Sequence, residues 1–137
     1  MGNQTELTSI ENREDVKRLV IAFYNEIKSD EKLGPIFTEI IPEDHWTSHI
    51  DKLIDFWMAH LFGEIGFKGN PVQAHRNVDR HFNYSIDQEH FNHWLSIWFS
   101  TIDSMFLGDR ALFAKQKAQN MAVGQYLKIW EAKPEIN

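Results

Sequence analysis

Seven histidines and no cysteine define the chemistry open to this chain. Neutral imidazole is the commonest side-chain ligand for late first-row metals and for haem iron. The lack of thiols excludes disulfides, thiolate metal sites, thiolate-ligated haem and cysteine nucleophiles, so any metal must rest on His, carboxylate, Tyr or Met. His45 with His49 and His90 with His93 have the spacing of one helix face. Such pairs also arise by chance, and alone they carry little weight. A carboxylate-bridged di-iron bundle would use Glu-x-x-His motifs, and none occurs here.

The elements that position these residues read as helices. After the Asn12 cap, Val16, Leu19, Val20, Phe23 and Ile27 recur at helical spacing, which predicts a helix from Arg13 to about Ser29 with Tyr24 at the edge of its apolar stripe. Leu33-Gly34-Pro35-Ile36-Phe37 interrupts it and predicts a tight corner or short helical turn. The next helix opens near Pro42 to Asp44 and carries Trp46, Ile50, Leu53, Trp57 and Leu61. A neighbouring stripe, His49, Leu53, Phe56 and His60, widens its apolar arc, as two partners or a partner and a ligand would require.

Gly63, Gly66 and Gly69 mark a loop, and Asn70-Pro71 is a cap followed by a good first helical residue, so a short helix with Val72 and His75 should start there. Ser85 and Gln88 have capping-box spacing ahead of Phe91, Trp94, Leu95, Trp98, Ile102, Met105 and Phe106. Gly108 ends that helix, and Asp109 is placed to cap a last one through Ala111, Ala114, Ala118, Met121, Ala122, Gln125 and Ile129. No strand pattern or repeat appears. The reading is one all-α domain over residues 13–131, with a polar N-terminal extension at 1–12 and a tail at 132–137.

Composition narrows the partners. A net charge of −6 without a basic stripe argues against nucleic acid. The apolar runs are far shorter than the ~20 residues of a membrane span, and residues 1–15 lack the apolar core of an export signal. The myristoylation pattern fails at Glu6. We therefore expect a soluble cytoplasmic protein, which suits the lack of cysteine. Five Trp and ten Phe suit a large aromatic core and hint at a flat apolar guest.

The order of these features is more specific than any one of them. Phe23-Tyr24, Leu33-Gly34-Pro35-Ile36-Phe37, Trp46, His49, Phe56-Trp57, Gly69-Asn70-Pro71, His75 and Phe91-x-x-Trp94-Leu95 together resemble the truncated haemoglobins, specifically their group III. The resemblance runs from about Glu14 to Met121. It implies a truncated globin fold, a two-on-two helical sandwich around haem b, with His75 as the proximal iron ligand. It places Tyr24, His49 and Trp94 in the distal ligand pocket, where Tyr24 can donate a hydrogen bond to dioxygen and His49 can touch the ligand or swing out as a gate.

On the same resemblance, Phe23, Phe37, Leu53, Phe56, Trp57 and Leu95 are candidates to pack on the macrocycle. Lys52, Arg76 or His81 could reach its propionates. The segment Arg76 to Tyr84, between His75 and Trp94, is longer and more polar than the short proline-containing connection of some members, and the glycine pairs of groups I and II are missing. The implied function is reversible binding of dioxygen, carbon monoxide or nitric oxide by a monomer. Two alternatives stay open: nitric oxide dioxygenase or peroxidase-like turnover fed by an outside reductase, and a haem-free helical module whose aromatic grooves bind a partner helix.

Overall fold

The computed structural model describes residues 6–64, 71–82 and 86–133. Helix α1, Arg13–Ser29, begins where expected: the Asn12 side chain accepts from the Asp15 amide at 2.9 Å. Its buried stripe is Val16, Leu19, Val20, Phe23, Tyr24 and Ile27. Tyr24 therefore lies inside the stripe, 3% exposed, and not at its edge as its spacing suggested.

Asp30 closes the helix and starts the next turn. Its backbone N–H donates to the Ile27 carbonyl, and its carboxylate accepts from the amides of Lys32 and Leu33 at 3.0 and 2.9 Å. The corner then becomes a short helix, α2, Gly34–Ile40. Gly34 permits the close approach of α2 to α1, because a Cβ there would sit 2.6 Å from the Lys28 carbonyl oxygen.

A 3-10 turn, Glu43–His45, leads into α3, Trp46–Phe62, which stops at left-handed Gly63 (φ 69°). Trp46, Ile54, Phe56, Trp57 and Met58 are buried, while Ile50, Leu53 and Leu61 are half-buried, which accounts for the wide apolar arc. Helix α4 is Pro71–His81 and carries His75; the glycines 66 and 69 and the expected Asn70 cap lie outside the described residues, as does the Val72 side chain.

Helix α5 is Gln88–Met105. Its capping box is formed by Asp87 and His90: the Asp87 carboxylate accepts from the His90 amide at 3.2 Å, and His90 Nδ1 takes the Asp87 N–H at 3.0 Å. The start thus falls later than Ser85 predicted, because the His90 imidazole takes the place of the usual Glu and closes the box on Asp87; Ser85 itself lies outside the described residues. Helix α6, Asp109–Ala132, follows Gly108 (φ 96°) and includes Asp109 as its first residue instead of as its cap.

Two layers result. Helices α1 and α3 pack together, α5 and α6 pack together, and α1·α5 and α3·α6 contacts join the pairs. Small residues Ala111, Ala114, Ala118 and Ala122 on α6 let α5 approach closely enough for the Trp98 indole N–H to donate to the Ala114 carbonyl at 3.2 Å. Truncating so large a buried ring as Trp98, 1% exposed, should cost about 3–5 kcal/mol. Helix α4 lies outside this sandwich and leans on α6.

The N-terminal segment is also tied down. Ile10 is fully buried, Arg110 donates to its carbonyl at 3.0 Å, and Thr8 bridges to Phe106, the one strand-like contact among the described residues. No helix among them is long and apolar enough to cross a membrane.

Candidate functional site

One polar pair sits inside an aromatic nest. Tyr24 on α1 and His49 on α3 meet through the phenol oxygen and the imidazole Nε2 at 3.1 Å. The rings of Phe23, Phe37, Trp46 and His49 all meet Tyr24 edge-on, with centroids 5.2 to 5.9 Å away. Burial pushes the Tyr24 phenol well above its usual range, so the hydroxyl keeps its proton. Burial, and then the charge of Lys52, hold His49 below the usual imidazole value, so it is neutral at neutral pH. A phenol is the better donor and an imidazole nitrogen the better acceptor, which favours O–H of Tyr24 donating to Nε2.

One face of α5 connects this nest to His75. Phe91 meets the His75 ring at 5.7 Å, and one turn later Trp94 meets Phe23 at 5.4 Å. Trp98, a further turn on, meets Phe23 at 5.0 Å and stacks on Trp57 at 4.8 Å. His75 is half-buried, and its Nδ1 faces the Gln125 side-chain oxygen on α6 at 3.4 Å. Edge and face contacts of this kind hold rings in fixed orientations as well as excluding water.

The expected apolar residues divide by burial. Phe23, Phe56 and Trp57 are at most 6% exposed and spend their surfaces on core neighbours. Phe37, Leu53 and Leu95 are half-buried and retain surface to offer. Lys52 is exposed beside His49. Arg76 donates from Nε to the Lys128 carbonyl at 3.2 Å, and His81 lies 3.4 Å from the Glu39 carboxylate.

The histidine pairs part company. His45 is exposed near Asp44 while His49 faces Tyr24; His90 completes the α5 cap while His93 bonds Asp30 at 2.6 Å. Among the described residues no three His, Cys, Asp or Glu side chains gather as a metal site. Haem iron, already held in its macrocycle, needs one protein imidazole, so the donor set at His75 fits that group better than a bare ion.

Two packed helical layers with α4 outside them form an all-helical sandwich. Residues 8–123 match the family described as bacterial-like globin, and the chain belongs to that family. It is 28% identical over 113 residues to the group 3 truncated hemoglobin ctb of Campylobacter jejuni, a match spanning 81% of this chain and 85% of that protein. The crystal structure of group III truncated hemoglobin from Campylobacter jejuni matches with a TM-score of 0.81 at 24% identity, covering 95% of this chain and all of that one, so the all-helical truncated globin fold is shared. Membership of a globin family implies a haem cofactor and small gaseous ligands.

Gln125 and Asp79 were missed as residues of this region. Gln125 had a signal: it is the lone polar residue on the α6 stripe between Ala122 and Ile129. Asp79, 2% exposed, accepts from the Ile86 amide at 3.0 Å and from Lys133 Nζ at 2.9 and 3.0 Å. It had no signal, because it stands in the polar run from Arg76 to His81.

Proposed function

We propose that the protein is a cytoplasmic monomer that holds haem b through Nε2 of His75 and binds dioxygen, and also carbon monoxide or nitric oxide, beside Tyr24, His49 and Trp94. The observation that carries this is the single face of α5, which bears Phe91 against His75 and Trp94 against the Tyr24 nest. One helix thereby spaces a ligating imidazole from a cluster of hydrogen-bonding groups. Bound haem supplies the iron that takes the gas. Phe37, Leu53 and Leu95 offer it apolar surface, and Phe23, Phe56 and Trp57 back them from the core.

The polar groups divide the remaining work. Tyr24 is a neutral donor fixed by four rings, suited to the partial negative charge on a dioxygen ligand. His49 accepts the Tyr24 hydrogen bond when no ligand competes, and Trp94 adds an indole N–H. Lys52, Arg76 and His81 offer N–H donors with which propionates can pair. Activation of peroxide would take hydrogen bonds or protons from Tyr24, His49 and Trp94, and turnover of nitric oxide or peroxide would draw electrons from an external reductant.

The test is a haemin titration of wild type and His75→Ala, with visible spectra of the ferric, ferrous and carbonmonoxy forms. Saturable one-to-one uptake with histidine-ligated spectra is expected, weakened in the variant, and with a raised unfolding midpoint through linkage. An unchanged midpoint and no specific uptake would leave the haem-free interaction module as the account.

A further inference from the structure

We infer that Gln125 is a positioning residue for His75: its side-chain oxygen accepts the Nδ1 proton and so fixes the ring with Nε2 free to ligate. This rests on the haem reading above. The two side chains are 50 positions apart in sequence and meet at 3.4 Å across the α4–α6 contact.

Two independent features hold that geometry. Phe91 packs edge-on against the His75 ring and is itself met by Tyr126, the neighbour of Gln125, at 5.9 Å. Arg76 Nε donates to the carbonyl of Lys128, and Lys133 clasps buried Asp79. Helix α4 is therefore pinned to α6 and the residue just after it at three successive levels, residues 75, 76 and 79 against 125, 128 and 133. The amide faces the imidazole at the first of these levels, where small displacements of α6 would turn the ring directly.

The chemistry assigns the roles within the pair. A neutral imidazole that ligates through Nε2 must carry its proton on Nδ1, and an acceptor opposite Nδ1 stabilises that tautomer and raises the basicity of the ligand. The reversed amide would set N–H against N–H, so ligation itself selects the orientation with oxygen inward. Being neutral and long, the bond makes Gln125 a weaker electron-pushing partner than a carboxylate would be. Orientation is its larger contribution.

The experiment uses full-length protein reconstituted with haem and compares wild type, Gln125→Leu and Gln125→Glu. Resonance Raman spectra of the ferrous protein give the iron–histidine stretch, and haem transfer to an acceptor protein gives retention. Gln125→Leu should lower and broaden the stretch and release haem about tenfold faster, the lower end of what outer partners of metal ligands contribute. Gln125→Glu, of the same length and with a stronger acceptor, should raise the stretch and make the reduction potential more negative.

Opposite shifts in the two variants are what a merely structural role would not produce. A stretch unmoved in Gln125→Glu, or moved the same way in both variants, overturns the inference while leaving haem binding intact. Should Gln125→Leu fail to fold by circular dichroism, the Glu variant decides alone. A wild type that takes up no haem would remove the haem reading itself, and the role of Gln125 with it.

Discussion

Replacing Tyr24 by Phe removes one oxygen from the densest part of the site and leaves the ring packing in place. In the folded chain that oxygen is bonded to His49 at 3.1 Å and is almost fully enclosed. Losing a neutral hydrogen bond costs about 1 kcal/mol. The full desolvation penalty does not apply, because His49 is only half-buried and can turn to water. The midpoint of thermal unfolding should fall by about 3 °C for a domain of this size.

The effect on dioxygen follows from the same bond. A hydrogen bond to a partly charged acceptor contributes about 1.5–3 kcal/mol, but Tyr24 must first give up about 1 kcal/mol of bonding to His49. The difference, about 0.5–2 kcal/mol, corresponds to dioxygen leaving about 2–30 times faster from Tyr24→Phe. Stopped-flow displacement by carbon monoxide measures it, and carbon monoxide release, which involves little ligand charge, should change far less. His49→Leu removes the competitor, so it should slow dioxygen release and enlarge the effect of Tyr24→Phe. Equal changes for both gases would mean that Tyr24 acts by filling space, and would refute the reasoning.

Gly34→Ala should destabilise by about 2–3 kcal/mol in urea unfolding, because the new Cβ meets backbone oxygens of Lys28 and Ile27 at 2.6 and 3.2 Å that cannot move without distorting the end of α1. Asp79→Asn takes the charge from a buried carboxylate that accepts from Lys133 Nζ and from the Ile86 amide; a loss of about 3 kcal/mol is expected in denaturant unfolding, with faster hydrogen exchange in α4. His49 carries a depressed folded-state value, so the unfolded chain takes up a proton first as acid is added. Stability contributed by His49 should be complete above its ordinary value of 6.5 and decline as pH falls below it, until the folded ring also protonates. His49→Gln should flatten that decline in thermal midpoints measured between about pH 7.5 and pH 5; His60, depressed by burial and then by Lys117, supplies the part that remains.

Local patterns made most of the helices legible. Asn12 with its apolar stripe defines α1 to the residue, since a side-chain cap and a 3.6-residue period are both encoded within a few positions. The start of α5 shows where local reading stops: Ser85 and Asp87 are both good caps, and His90, an unusual capping-box partner, decides between them. Tyr24 illustrates a second limit. Its place inside the stripe depends on Phe37 and Trp46 from later elements, which enclose its outer edge. The ordered aromatic and histidine positions resembled a globin because many of them lie in the packed layers, where spacing along each helix constrains them.

The proximal region was less legible for a physical reason. Helix α4 is polar, lies outside the two layers, and is attached by side chains that find partners about 50 residues away: His75 to Gln125, Arg76 to Lys128, Asp79 to Lys133. Periodicity reports burial on a helix, and it cannot report which distant amide or carbonyl a polar side chain will meet. The two sides of the site are therefore held differently. The Tyr24 nest is fixed mainly by ring packing, with His49 its one titrating ring, whereas α4 depends on directional bonds and one buried ion pair. Helix α6 supplies Gln125 and Lys128, and the residue just beyond its end supplies Lys133, so the orientation of His75 is set by partners that make no contact with the Tyr24 nest through any of these bonds.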